Sequence, residues 1–406
     1  MFLIMQSFFD NYFSRYLCFP KHIIEAADKN LKTIVVIPCY NEPDILVPLK
    51  SLLKCTPTKF PVEVIVVVNS KENEKEDVLL QNQLTISQIE KFKKENFRKD
   101  FKIFCFEEKN LPKKHAGVGF ARKIGMDEAV RRFQSIENPY GVIVNFDADC
   151  TCQENYLSEI ESFFLKNPKA EGVTINFEHN IYDKNFPIEN RLAIAKYELY
   201  MRYYVESLRV AGFPYAFHTV GSAFAVRVGA YCQEGGMNRR QAGEDFYFLH
   251  KIIPREKFYN LASTKVFPSI RFSSRVPFGT GISLKQTSQN DYYAYNFDSF
   301  LVLKAFFLEG KIAPILKEFL DKNNFSLAEK SMKENSKTKK TYLKRFFAWF
   351  DAFRVLKFLN FSHTSCFSKM PVEKEALRLL RSLNFEFQYE EIDTEKLLKI
   401  FRDFFC

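Results

Sequence analysis

Apolar, β-branched runs alternate with amphipathic stretches from Thr33 onward, and this alternation predicts the fold. TIVVIP (33–38), VEVIVVV (62–68), FKIFCF (101–106), GVIVNF (141–146) and GVTINF (172–177) read as buried strands. TVGSAFAVR (219–227) reads as a further strand that opens on Gly221 and Ser222. Helices are predicted over 43–54, through about 95, over 117–133, 154–165 and 188–210, and from Glu244 to about 253. A βαβα rhythm with near-continuous apolar strands implies a mostly parallel α/β sheet covered by helices on both faces. Before it, residues 1–30 read as one or two amphipathic helices that dock on the main domain or lie on a membrane surface. After about residue 286 the pattern is helical, without strand alternation. A Lys-rich stretch (330–340) reads there as a linker. It precedes a basic, aromatic helix carrying Phe346, Trp349, Phe350, Phe353 and Leu356 on one face. Such a face packs on the protein or lies on an anionic bilayer. The predicted organisation is 1–30, 31–285 and 286–406.

Ligands of parallel sheets bind beyond the carboxyl ends of the strands. Three polar groups fall at those ends: Cys39-Tyr40-Asn41-Glu42, Asn69-Ser70 and Asp147-Ala148-Asp149. In an extended segment residues two apart share a side, so Asp147 and Asp149 converge on one point. Two like charges that close need a cation between them, and a hard divalent ion such as Mg²⁺ or Mn²⁺ suits oxygen donors. The competing reading is a solvated turn capping the next helix. Glu244 and Asp245 stand at a helix start, where acids also meet the helix dipole. The segment 265–281 carries Arg271, Arg275, Gly279 and Gly281, and reads as a basic flap over a phosphate or an ordinary connector.

Charge and cysteine usage narrow the partners. A formal net charge of +10 favours anionic ligands. Nucleic acid is not expected, because no zinc-finger spacing or RNP-type aromatic motif occurs. Nine scattered cysteines without a CxxC pair predict free thiols in a reducing, cytoplasmic setting. Cys150 and Cys152 are too close in sequence to bridge easily. The first residues lack a basic leader and no run of about 18 apolar residues occurs, so neither a signal peptide nor a membrane span is expected.

In this order the motifs resemble glycosyltransferase family 2, the nucleotide-sugar enzymes of the GT-A fold. VVIPCYNE is similar to that family's first strand and turn, HAGVGFARKIGMDEA to its diphosphate-facing helix, and NFDADC to its D-x-D. The segment 221–248, ending in Glu244-Asp245, is similar to its acceptor-site region. The resemblance covers about residues 31–255. It implies a nucleobase and ribose site at Pro38, Tyr40, Glu42 and Asn69, with Arg122 facing the diphosphate. It further implies Asp147 near the ribose, Asp149 on the metal, and Asp245 or Glu244 as the base. Asn69 replaces a customary acid, and Lys123 replaces a customary Asn, which would add a cation near the phosphates. No histidine stands clearly as a third metal ligand; His250 and His363 fall in other contexts, and His218 is an acceptor-site candidate. The implied reaction is inverting transfer from a nucleoside-diphosphate sugar to an acceptor hydroxyl; a glycan or lipid-linked acceptor and peripheral contact with an anionic membrane would suit the basic, aromatic helix near residue 350. Two other readings are a sugar-1-phosphate nucleotidyltransferase, whose Gly-rich loop PCYNEPD lacks, and a non-catalytic sugar-binding scaffold.

Overall fold

The computed structural model describes residues 2–17, 19–241, 243–271, 292–386 and 393–405. It divides into two compact units, one of Met1–Phe186 with Thr219–Ser283, the other of Pro187–His218 with Leu284–Cys406.

The first unit contains α1 (Phe2–Arg15), β1 (Thr33–Cys39), α2 (Leu46–Leu53), β2 (Val62–Lys71), α3 (Glu76–Glu95), β3 (Phe101–Leu111) and α4 (Val118–Ser135). The chain continues through β4 (Val142–Asn145), β5 (Thr151–Cys152), α5 (Tyr156–Lys166) and β6 (Gly172–Phe177). Then α6 (Ile188–Val210) belongs to the second unit, and β7 (Phe224–Arg227), α7 (Val228–Gln233), α8 (Glu244–Ile252) and β8 (Phe258–Phe267) return to the first. The eight strands form one sheet in the order β3-β2-β1-β4-β7-β6-β8-β5. Pairing is parallel from β3 to β4 and between β6 and β8, so six strands run one way, while β7 and β5 run against them. The mostly parallel, Rossmann-like sheet expected from the sequence is therefore present. Its centre is dry: every residue of β1 and of β4 is buried, as continuous apolar runs require when helices cover both faces.

Several predicted boundaries shift. The helix expected over 43–54 forms only at Leu46–Leu53, because Pro43 and Asp44 belong to the turn leaving β1. The strand expected over 219–227 forms only at Phe224–Arg227, which leaves Gly221 and Ser222 in the preceding turn. Among the described residues of the N-terminal segment there is one helix, α1, and it is docked. Tyr12 is fully buried and donates to Asp127 at 2.6 Å; Tyr231 donates to the same oxygen at 2.7 Å. Hydrogen bonds to charged groups contribute about 1.5–3 kcal/mol. Tyr12→Phe is therefore expected to lower stability by about that amount in urea unfolding, and an unchanged midpoint would mean that α1 is not held there.

In the second unit α6 packs against the helices Phe297–Glu309, Val372–Ser382 and Thr394–Phe404. The single basic helix expected near residue 350 is two, Lys339–Trp349 and Ala352–Ser365. Asp351 breaks it, because its carboxylate accepts from the Arg354 amide at 2.8 Å and caps the second helix. Phe346 and Phe350 are buried in edge-on and tilted ring contacts with Phe306, and Phe346 also meets Phe325 edge-on, so this part of the predicted aromatic face packs into this unit. The expected linker 330–340 is mostly helix, since Phe325–Glu334 covers its first residues and Lys339–Trp349 its last, which leaves 335–338 as the connection. A short antiparallel pair, Tyr293–Ala294 with Met370–Pro371, interrupts the helical pattern. None of the described helices is long and apolar enough to cross a membrane.

Candidate active site

The carboxyl ends of β1, β2 and β4 lie on one edge of the first unit, because the three strands are parallel neighbours. The turn after β1 needs a left-handed residue, supplied by Asn41 with φ 49°, a conformation asparagine tolerates better than most. Its amide donates to Asn82 Oδ1 at 3.0 Å, while Asn82 Nδ2 donates to the Asn69 carbonyl at 3.1 Å. Asn82 of α3 thus ties the β1 turn to the end of β2. One turn further along, Thr85 donates to the Glu42 carbonyl at 2.7 Å. Neither residue is singled out by the sequence, although two fully buried polar side chains on a helix face otherwise lined by Val78, Ile89 and Phe92 are their trace. Pro38 and Asn69 are buried in their strands, and Tyr40 is half-exposed in the turn.

Asp147 and Asp149 follow β4 and are each about one-third exposed. Donor atoms of Asp147, Asp149 and Cys150 lie within 4.8 Å of one another, the metal-capable cluster found among the described residues, and no histidine joins it. Burial, with Asp149 and Asp147 beside it, pushes the Cys150 thiol up. It stays protonated, and the two carboxylates are the donors suited to a hard divalent cation.

Arg122 of α4 is the hub of the site. It is 3% exposed and pairs with Asp147 through one amino group and with Glu244 through the other. The turn before β7 is shaped around it: a Cβ on Gly221 would fall 2.5 Å from Arg122 Nη1. On the other side, a Cβ on Gly119 would lie 2.8 Å from Glu244 Cβ, so glycine there lets α4 approach the start of α8. Ser222 is buried in the same turn as Gly221. Three acids, Asp147, Glu244 and Asp245, face this one guanidinium. Burial, with Asp245 and Asp147 nearby, pushes Glu244 up to about 7 against the pull of Arg122. Burial, with Asp147 adding to it, also raises Asp245, which Arg122 pulls back. Arg122 is held firmly cationic: burial works against its charge, and the three acids outweigh it.

Other predicted residues are placed differently. Lys123 does not add a cation near the phosphates. One residue further round the helix from Arg122, it turns about 100° away and pairs with Asp127, one turn along the same helix, at 2.9 Å and with Tyr12 of α1 at 3.0 Å. Arg271, after β8, pairs with Glu42 and lies 3.5 Å from Asp44 and 3.7 Å from Asp149. It therefore joins two of the three strand-end groups. Arg275, Gly279 and Gly281 lie outside the described residues. His218 belongs to the second unit, where burial with Arg202 and Arg209 lowers it to about 3. His250 sits within α8 against Phe246, lowered to about 4 by burial. His363, in the second unit, accepts from the Lys369 amide at 3.1 Å.

Residues 34–231 match the model of Glycosyl transferase family 2. That stretch holds the sheet centre, Arg122 and the two aspartates, and through it the chain carries a glycosyl transferase family 2 domain. It is a nucleotide-sugar glycosyltransferase. No curated protein matches the sequence. Among solved structures, S. aureus TarS residues 1–349 in complex with UDP-GlcNAc is 14% identical. The alignment covers 90% of this chain and 95% of that one, at a TM-score of 0.42. GalNAc-T7 with UDP, GalNAc and Mn²⁺ is 17% identical over 73% of this chain and 55% of that one, TM-score 0.38. Mannosyltransferase PcManGT from Pyrobaculum calidifontis, in complex with GDP-Man and Mn²⁺, is 13% identical over 99% and 93%, TM-score 0.38.

Proposed function

We propose that the chain is a metal-dependent inverting glycosyltransferase acting on a hydroxyl of a glycan or lipid-linked acceptor, in the synthesis of a cell-surface polysaccharide. The observation that carries the reading is the charge balance at the end of β4. There Asp147, Glu244 and Asp245 face the buried Arg122, while Asp149 lies beside Asp147 and 3.7 Å from Arg271, a surplus of carboxylate that suits a divalent ion accompanied by substrate phosphates. Asp149 and Asp147 are the residues that would hold it. When bound, such an ion supplies Lewis-acid stabilisation to the departing nucleoside diphosphate.

The rest of the chemistry belongs to the protein. Pro38, Tyr40, Glu42 and Asn69 line the strand ends where the nucleoside would rest, and Arg122 neutralises charge beside the diphosphate. Asp245, at the half-exposed start of α8, takes the proton from the acceptor hydroxyl. The acceptor oxygen then bonds to the anomeric carbon as the diphosphate leaves from the opposite face, which inverts that centre. The β1 turn favours this over nucleotidyl transfer: it carries Glu42 pinned by Arg271, with no glycine to cradle a triphosphate.

Asp149→Ala tests the metal. Titration calorimetry with UDP and GDP is expected to show binding at least ~10-fold tighter with Mn²⁺ than without it in the parent protein. That difference should vanish in the variant. Equal affinity with and without Mn²⁺ in the parent would end the metal-dependent reading.

A further inference from the structure

Two cysteines that the reaction does not use meet at the back of the aspartate turn. Cys55 follows α2 and is buried; Cys152 forms β5 three residues after Asp149 and is half-buried. They are 97 positions apart in the chain, yet their sulfurs lie 3.7 Å from each other. The segments that carry them are already tied together. The Cys152 amide donates to Ser51 Oγ at 2.9 Å, and the Thr56 amide donates to the Glu154 carbonyl at 2.7 Å. A bond length of about 2.05 Å requires the sulfurs to close by about 1.7 Å, a side-chain adjustment between segments held in place. The contact with Cys152 also lowers the Cys55 thiol from its ordinary value despite its burial, the thiolate being the reacting form.

We propose that Cys55 and Cys152 are a dithiol which a peroxide oxidises to a disulfide, fastening the turn that carries Asp147 and Asp149 to the end of α2. In the first step the Cys55 sulfur attacks one peroxide oxygen. The O–O bond breaks, the sulfur is oxidised to a sulfenic acid, and one water leaves with the Cys55 proton. In the second step the Cys152 sulfur attacks Cys55, the S–O bond breaks, and a second water carries away the Cys152 proton. Two thiols and one hydrogen peroxide thus give one disulfide and two waters. The sequence suggested only unpaired thiols and weighed Cys150 against Cys152; the fold instead brings Cys55 to Cys152 from a distant segment.

The full chain is treated with hydrogen peroxide, blocked with an alkylating agent, digested without reduction and mapped by mass spectrometry. The expected product is a Cys55–Cys152 peptide pair about 2 Da below the sum of its thiol forms, cleaved by dithiothreitol. The oxidised protein should melt ~5–10 °C higher, because the bridge closes a long loop. Its amides over 146–153 should exchange more slowly. Cys55→Ser and Cys152→Ser should each abolish the bridged peptide and the melting shift. Recovery of both cysteines separately alkylated, addition of about 16 or 32 Da to either one alone, or a bridge from either to another cysteine would each overturn the proposal. Because the mapping uses the parent protein, the result does not depend on whether a variant folds.

Discussion

Asp245→Asn is expected to lower kcat by about 2–4 orders of magnitude, the usual contribution of a positioned general base, while nucleotide-sugar affinity by calorimetry changes little. The substitution keeps the size of the side chain and the acceptor oxygen that receives the Phe246 amide at 2.7 Å, so the start of α8 keeps its structure. What it removes is the lone pair that takes the acceptor proton. The pH profile gives a second readout. Burial and the neighbouring acids raise Asp245 and Glu244 from their ordinary values, and a base is inactive while protonated. The acid limb of kcat/KM in the parent enzyme should therefore lie above pH ~4 and activity should rise as pH rises through it. Glu244→Gln frees Arg122 from a competing partner, which strengthens its pull on Asp245 and stabilises the ionised base. That variant should shift the acid limb to lower pH. A limb that stays in place would separate the pH dependence from this pair of acids, and a nucleotide affinity that falls as far as kcat would move Asp245 from the acceptor side to the donor side.

The parts of this site legible in the sequence are those that a single segment can specify. Asp147 and Asp149 were visible because a buried strand ends abruptly in two carboxylates, and period-two geometry then fixes their common direction. Glu244 and Asp245 were visible as acids at a helix start, and the mostly parallel character of the sheet followed from uninterrupted apolar runs that suit strands covered on both faces. The pairings were not legible. Arg122 meets Asp147 at a separation of 25 positions and Glu244 at 122; nothing local in α4 says which of its cations turns inward. Lys123 shows the cost of that blindness: adjacent in sequence, it serves the anchoring of α1. Asn82 and Thr85 were hidden for the same reason, being ordinary polar residues until the β1 turn is laid beside them. Near residue 350 an apolar face spaced for one helix concealed a break, because Asp351 acts through its own backbone neighbourhood and leaves the periodicity of the aromatic residues almost intact.

The hub makes the strongest demand on stability, and Arg122→Met measures it. Methionine fills a comparable volume without a charge, so the turn at Gly221 can close over it. The change leaves Glu244 buried with Asp147 and Asp245 and no counter-cation. Removing one partner from a buried ion pair commonly costs about 3–5 kcal/mol, and that loss is expected at pH 8 by urea unfolding. It should shrink as the medium is acidified. Glu244 already titrates near 7, above its ordinary value, chiefly because it is buried. Without Arg122 its folded-state value moves higher still. A carboxyl whose folded value exceeds its unfolded one supports the fold most when protonated and loses that support as pH rises through the folded value. The difference between parent and variant should thus be smallest near pH 5 and should grow toward pH 8. A deficit of the same size at both would mean that Arg122 stabilises the fold by packing alone. The site would then hold no surplus of negative charge for a cation to answer, and the case for metal at Asp147 and Asp149 would lose its electrostatic ground.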